Sequence, residues 1–207
     1  MNVELLQHTS LAVCAHAIRT CWSSHDKSDD GGPTDLALID RIGNKNKHAS
    51  TLEHLSYTFF ISGISRALLQ ELARHRIASP SVQSTRYTLS KLLKQADLSF
   101  ATASDFLVLT GDSDVDQASF EALCNLQTLV RKGISNDKLK YALPESFKVE
   151  LTWTINARSL QNFLTLRSNK AALWEIRDLA NAIYLALPPE HTYLFEHCLI
   201  HDVQPTN

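Results

Sequence analysis

The sequence predicts an α+β fold, one domain spanning residues 1–207, rich in helix around a small sheet. Three observations carry this. Lys148 to Ile155 (KVELTWTI) alternates strictly, with Val149, Leu151, Trp153 and Ile155 on one face and Lys148, Glu150, Thr152 and Thr154 on the other. Tyr57, Phe59 and Ile61 alternate with Ser56, Thr58 and Phe60, a second strand that is apolar on much of both faces. Most other apolar residues recur at i, i+3, i+4, i+7, the helical period. No repeat, linker or low-complexity segment divides the chain, and 207 residues suffice for one sizeable core.

In chain order, Val3 and Leu5 between polar residues predict a short first strand. Ser10 is placed to cap a helix whose apolar face is Leu11, Cys14, Ala15, Ile18 and Cys21. The run SSHDKSDDGGP is polar, broken by Gly and Pro, and reads as a loop. Thr34 then caps a second helix carrying Leu36, Ile39 and Ile42. In HASTLEH (residues 48–54), Ser50 and Glu53 have capping-box spacing, and the spacing alone favours a helix start there. A helix from about Ser65 places Ile64, Leu68 and Leu72 on one side and Arg66, Gln70 and Arg74 on another. Pro80 marks its expected end.

Residues 91–114 are the least readable, with Phe106–Leu109 as a buried segment and Gly111-Asp112 as a turn. Phe120, Leu123, Leu126 and Val130 define a helix, and Ser135 or Asn136 caps another that stops before Pro144. After the KVELTWTI strand, Asn156 caps a helix with Leu160, Phe163 and Leu164 inward. Arg158 and Asn162 share its other face, and Arg167 stands at its end. A long helix from about Asn169 buries Leu173, Ile176, Ala180, Ile183 and Leu187, and a last one carries Leu194, Phe195, Cys198 and Leu199.

Composition narrows the function classes. A hydrophobic fraction of 44% and a charged fraction of 20% are ordinary for a globular protein. The net charge of −2 supplies no overall field for nucleic acid or an anionic membrane, so neither is an expected partner. The four cysteines (Cys14, Cys21, Cys124 and Cys198) form no CxxC pair, which argues for reduced thiols. The start, MNVELLQHTS, has an acid at Glu4 and no basic apolar leader, and no window approaches a membrane span. A cytoplasmic location is expected.

The chemistry concentrates between Arg74 and Tyr87, in RHRIASPSVQSTRY. Adjacent cations repel one another, and guanidinium groups grip phosphate or carboxylate through a planar fork of donors. The hydroxyls of Ser79, Ser81, Ser84 and Thr85 add neutral donors. A basic cluster on a near-neutral chain points to a small anionic ligand. A helix end decorated with cations that favour its dipole is the simpler explanation of any one of these charges, Arg167 included. The six glycines form no G-x-G-x-x-G loop, so arginines and helix-end donors must hold any phosphate. A metal-dependent nucleotide hydrolase using His48, Glu53, His54 and His75 is an alternative, although His48 and His54 are six apart and do not share a helix face. A non-catalytic nucleotide-binding module is a second.

Arg74-His75-Arg76, seven residues, then Ser84 and Arg86-Tyr87 resembles the signature of the flavin-dependent thymidylate synthases. Two more blocks, HASTLEH upstream and NARSLQNFLTLR downstream, stand in that family's order. The resemblance implies helices around a small, mostly antiparallel sheet. It also implies reductive methylation of dUMP to dTMP, with methylenetetrahydrofolate as carbon donor, FAD as cofactor and NADPH as reductant. By motif position, His48, Ser50, Glu53, Arg74, His75, Arg76, Asn156, Arg158 and Asn162 would hold the flavin. Gln70, Glu71, Arg74, Gln83, Ser84, Thr85, Arg86, Lys140 and Arg167 would hold dUMP, with Arg167 as the catalytic group on the pyrimidine. No metal is implied. The family forms homotetramers with shared sites, so the same is expected here. The chain departs from the family's commonest pattern at Ser81-Val82, usually Asn-Glu, at Glu71, often Gln, at Lys140, usually Arg, and at Cys21, commonly Ser. No cysteine lies in a Pro-Cys-His context, so the thiol-based thymidylate synthases are not matched.

Overall fold

The computed structural model describes residues 1–199. Strand β1 spans Asn2–His8, with Val3 and Leu5 half-buried as expected. Ser10 caps α1 (Leu11–Thr20), its side chain accepting the Ala12 N–H and satisfying a donor with no partner inside the helix. Leu11, Cys14, Ala15 and Ile18 are buried. Cys21 is exposed, contrary to the predicted apolar face: it is the C-cap of α1, and its thiol turns back to donate to the Ala17 carbonyl at 3.6 Å.

Helix α2 (Pro33–Ile39) is capped at Gly32 rather than Thr34, with Pro33 in its first turn. The missing N–H of proline costs nothing there. The Asp29 carboxylate takes over from the loop, accepting the N–H groups of Thr34 at 2.7 Å and Asp35 at 3.0 Å. The chain continues through Asp40–Lys45 in wider, π-helical turns. Residues Ala49–His54 form a 3-10 helix entered from His48 with no side-chain cap bond, so the Ser50–Glu53 capping box is not made. Glu53 pairs with Arg158 instead.

Strand β2 (Ser56–Ser65) buries Tyr57, Phe59 and Ile61, and α3 (Arg66–Leu72) buries Leu68 and Leu72. The helix stops well short of Pro80. That proline lies in β3 (Ala78–Val82), an edge strand, where the ladder does not require its missing N–H. Arg74-His75-Arg76 therefore occupies the connection between α3 and β3, and the i+4 row of Arg66 and Gln70 does not extend to Arg74.

Next come α4 (Thr85–Leu93) and α5 (Ala103–Phe106), after which Leu107 makes an isolated antiparallel bridge to Phe147. Helix α6 (Ser113–Arg131) starts at Asp112, whose side chain accepts the N–H groups of Asp114 and Val115, and Gly111 takes the positive φ of +84° that this turn requires. Helix α7 is Asn136–Leu139. Strand β4 (Lys148–Asn156) runs directly into α8 (Ala157–Arg167), and α9 is Trp174–Leu185, five residues later than the sequence suggests. Two 3-10 turns, Pro189–Leu194 and Glu196–Cys198, replace the expected last helix. The four strands form one small antiparallel sheet of order β1-β2-β4-β3.

The described chain divides into two compact units. One comprises Met1, Ile61–Leu72 and Ser81–Leu151. Its core is Leu89, Leu93, Leu107, Leu123, Leu126 and Phe147. There Gln127, 7% exposed, donates to the carbonyls of Leu93 at 2.9 Å and Ala96 at 2.6 Å.

The other unit comprises Asn2–Phe60, Ala73–Pro80 and the chain from Thr152. It buries Tyr57, Trp153, Phe163, Leu164, Ile176 and Ile183. Tyr57 Oη and His191 Nδ1 lie 2.7 Å apart inside it. Burial lowers the His191 imidazole to about 4, and nearby His8 adds to the effect. A buried ion pair joins α1 to α2: Arg19 reaches Asp35 Oδ1 through Nε at 2.8 Å and Nη2 at 2.5 Å. Ser28 Oγ and the Gly31 N–H donate to Oδ2 at 2.7 and 3.0 Å. Burial alone would raise the Asp35 carboxyl, but the donors of Ser28, Gly31 and Arg19 together bring it down to about 2.

Candidate active site

The second unit contains a cleft of about 1160 Å³. Its wall is largely α8, and the sequence explains why. Asn156 ends β4 and begins the helix, its Oδ1 accepting the Ser159 N–H at 2.8 Å. From that cap the 3.6-residue period sends Leu160, Phe163 and Leu164 into the core. It turns Arg158, Asn162, Thr165 and Leu166 outward, and all four line the cleft. Arg167 ends the helix, half-buried. Facing them is the connection after α3, which contributes Arg74, His75, Arg76 and Ile77.

The electrostatics are one-sided. Among the described residues, Arg74, Arg76, Arg158 and Arg167 line the cleft against a single carboxylate, Glu53. Arg158 Nη1 lies 2.7 Å from Glu53 Oε1, both side chains about half exposed, so solvent screens the pair and it contributes little to stability. What it does is hold the Arg158 guanidinium beside Glu53, both of which line the cleft. Arg167 Nε donates to His75 Nε2 at 3.0 Å. The His75 ring meets Phe163 edge-on at 4.9 Å, and Phe163 meets Trp153 at 5.1 Å. An arginine-rich hollow with apolar patches at Ile77 and Leu166 suits a large ligand that is anionic at one place and aromatic at another.

Of the residues expected at the flavin, Glu53, Arg74, His75, Arg76, Asn156, Arg158 and Asn162 line this one cleft. His48 and Ser50 do not, although both are exposed. Of the residues expected at dUMP, Arg74 and Arg167 line it as well.

Gln70, Glu71, Gln83, Ser84, Thr85, Arg86 and Lys140 belong to the other unit. There Gln70 donates to Glu145 at 2.8 Å, and Ser84 occupies the N-cap position of α4. Thr85 is only 5% exposed. Arg86 pairs with Asp137, which lies one turn before Lys140. Gln83 lines a separate cavity of about 330 Å³ with Asp105, Phe106, Lys148 and Glu150.

The cleft also holds residues that sequence reasoning missed. Thr165 and Leu166 could have been found, since they continue the outward stripe of Arg158 and Asn162. Gln161 is fixed beneath the wall, donating to the Leu194 carbonyl at 2.7 Å and to Asn44 Oδ1 at 3.1 Å. His197 and Cys198 arrive only through the tertiary path of the chain. Burial raises the Cys198 thiol, against a smaller opposing hydrogen bond from Thr165, so it stays protonated 3.5 Å from His197 Nε2. Among the described residues, no group of three or more His, Cys, Asp or Glu is placed to hold a metal ion, so His48, Glu53, His54 and His75 do not assemble the hydrolase alternative.

Comparison with known proteins bears directly on this cleft. A family model described as thymidylate synthase complementing protein matches residues 4–191. The chain is 62% identical over 207 residues to a Campylobacter jejuni (strain RM1221) protein named flavin-dependent thymidylate synthase, covering 99% of this chain and 100% of that one. It is 64% identical over 198 residues to a Wolinella succinogenes protein of the same name, covering 94% and 97%. A crystal structure of flavin-dependent thymidylate synthase from Helicobacter pylori, complexed with FAD and dUMP, matches with a TM-score of 0.92 at 52% identity, covering 97% of this chain and all of that one. With nearly the whole length matched by the family model and by relatives at 62% and 64% identity, the chain belongs to the flavin-dependent thymidylate synthases.

Proposed function

We propose that the chain converts dUMP to dTMP, with FAD in the arginine-lined cleft, methylenetetrahydrofolate as carbon donor and NADPH as reductant. The observation that carries this reading is the gathering, among the described residues, of four arginines and one carboxylate in a single cleft of about 1160 Å³. The donor set fits FAD. Arg74, Arg76 and Arg158 match a pyrophosphate, Asn156 and Asn162 offer amides beside them, and Ile77 and Leu166 offer apolar contact to a ring system. His48 and Ser50 would take part at its margin. When bound, the flavin supplies the hydride that turns the transferred methylene group into a methyl group, and tetrahydrofolate leaves.

The remaining tasks fall to the chain's own side chains. Uracil C5 is a weak nucleophile until negative charge develops in the ring. Arg167 would hold that charge at O2 and N3, and its guanidinium stays protonated throughout. Arg86 and Lys140 would bind the phosphate, with Arg86 exchanging its Asp137 partner for it. Gln70, Glu71, Gln83, Ser84 and Thr85 would orient the nucleotide, Thr85 mainly through its backbone because its side chain is buried. A homotetramer with shared sites would accommodate this assignment: Arg74 and Arg167 would come from one chain, and Ser84 and Arg86 from another. The family match across 4–191 supports treating the chain as one catalytic domain. A cytoplasmic location is in keeping with a nucleotide-synthesis role, and no helix among the described residues is long and apolar enough to cross a membrane.

The test is direct. Purified protein should carry or take up FAD, and its reduced flavin should be reoxidised on adding dUMP with methylenetetrahydrofolate, yielding dTMP. Protein that binds FAD but forms no dTMP with either substrate order would refute the proposed reaction.

A further inference from the structure

We propose that a small cavity at the start of α1 is a binding site for a small oxyanion, held by the Nε2–H of the buried His191 and by the first N–H groups of the helix. The inference does not depend on the reaction proposed above, and none of its residues lines the arginine-rich cleft. The cavity has a volume of about 180 Å³, and its wall includes His8, Ser10, Leu11, Leu36, Glu190 and His191. All of these belong to the same compact unit.

The tautomer of His191 follows from its neighbour. His191 is 1% exposed, and its Nδ1 lies 2.7 Å from Tyr57 Oη. Tyr57 is fully buried, and among the described residues its hydroxyl has no other hydrogen-bond partner. A buried hydroxyl hydrogen without an acceptor is costly, so Tyr57 donates and Nδ1 accepts. The neutral ring then carries its hydrogen on Nε2. Burial favours that neutral form, lowering the imidazole to about 4. Among the described residues Nε2 has no hydrogen-bond partner, so a buried ring in the cavity wall holds an unused donor.

The helix supplies further donors. The first N–H groups of a helix have no partner inside it, and they form its positive end. Ser10 takes two of them: Oγ accepts the Ala12 N–H at 3.3 Å, and the carbonyl accepts the Val13 N–H at 3.1 Å. The Leu11 N–H has no partner among the described residues, and the Ser10 hydroxyl still has its own hydrogen to donate. Unused donors gathered around a hollow at a positive helix end suit an anion. A metal ion suits it less, because a metal needs a bare imidazole nitrogen and Nε2 is protonated. Among the described residues no group of three or more His, Cys, Asp or Glu is placed to hold one either. Two titratable groups complete the wall. The His8 ring stands at 87° to that of His191, with centroids 5.0 Å apart, and offers a second imidazole. Glu190, an exposed residue, carries the charge that opposes an anion.

The experiment titrates inorganic phosphate into the FAD-loaded enzyme at pH 7.5 by calorimetry, with dUMP saturating so that the arginine-rich cleft is filled. The unmodified enzyme should bind one phosphate per chain. His191→Phe keeps a ring but has no donor, and phosphate affinity should fall about tenfold or more, the scale of a hydrogen bond to a charged group. Glu190→Gln removes the opposing charge, and affinity should rise roughly two- to fivefold, the scale of an exposed charge pair.

Glu190 is exposed, so its variant keeps the test decisive even if His191→Phe fails to fold. Phosphate binding that ignores both substitutions would belong to the cleft and would overturn the proposal. No phosphate binding by the dUMP-saturated enzyme would mean that water alone fills the cavity, and would do the same. Neither result touches the thymidylate reading, which dTMP formation tests by itself.

Discussion

Replacing Arg19 with methionine should destabilise the fold by about 3–5 kcal/mol at neutral pH, the usual consequence of leaving a buried carboxylate without its counter-ion. The structure supports that range. Asp35 is 0% exposed and Arg19 only 4%, so water screens neither partner, and Arg19 supplies two of the four donors on the carboxylate. Ser28 and Gly31 remain in the variant, which argues for the lower half of the range.

The pH dependence gives a sharper test. Asp35 titrates at about 2 in the native protein, below its ordinary unfolded value of about 3.9. Its contribution is therefore present above pH 3.9 and is lost as pH falls toward 2. By linkage it amounts to roughly 2–3 kcal/mol. Without Arg19 the burial cost is opposed by fewer donors and the carboxyl rises, so the variant regains part of its deficit as acid protonates Asp35. Urea unfolding at fixed protein and FAD concentration, at pH 7.5 and again near pH 5, measures both quantities. A deficit below about 1 kcal/mol at pH 7.5, or one that grows on acidification, would refute the reasoning.

Other changes probe the site. Arg167→Ala should lower turnover by about 10²–10³ with the fold intact, and Arg167→Lys should recover only part of it because the planar fork is lost; turnover within a few-fold of the unmodified enzyme would remove Arg167 from the catalytic role. Asn156→Ala removes the bond to the Ser159 N–H and should cost about 1 kcal/mol in stability together with weaker FAD retention, checked by unfolding and by flavin release on dilution. Val82→Glu, which restores the family's commoner carboxylate, should change dUMP or FAD affinity more than turnover, and a folded but inactive variant would show that β3 here has its own geometry. Mixing inactive Arg86→Ala and Arg167→Ala enzymes, after dissociation and reassociation, should restore about a quarter of sites if each site is shared between chains, and none if it is not.

How much of this protein could be read from residues alone depended on the range of the interaction. Ser10 and Asn156 cap their helices as predicted, because a cap is a bond over two or three positions and spacing suffices to place it. The alternation of β4 and the inward stripe of Leu160, Phe163 and Leu164 were equally plain, since burial on one face leaves a period in the sequence. Punctuation misled where two states share a signal. Pro80 reads in sequence as a helix end, yet it sits in edge strand β3, because a missing N–H is tolerated in either setting. Ser50 and Glu53 had capping-box spacing, but Glu53 is drawn to Arg158, 105 residues away, and no local rule can price that competition.

The same distinction divides the site. The clustered cations of residues 74–76 and the outward row of Arg158 and Asn162 were visible as types and spacings, and so was their family resemblance. Tertiary structure alone decided that these two stretches line one cleft, that His197 and Cys198 join it, and that His75 takes the Arg167 Nε–H. Each of those contacts joins residues far apart in the chain, where periodicity carries no phase information. Packing of Phe163 against both Trp153 and His75 is one of the contacts that hold the segment after α3 beside α8.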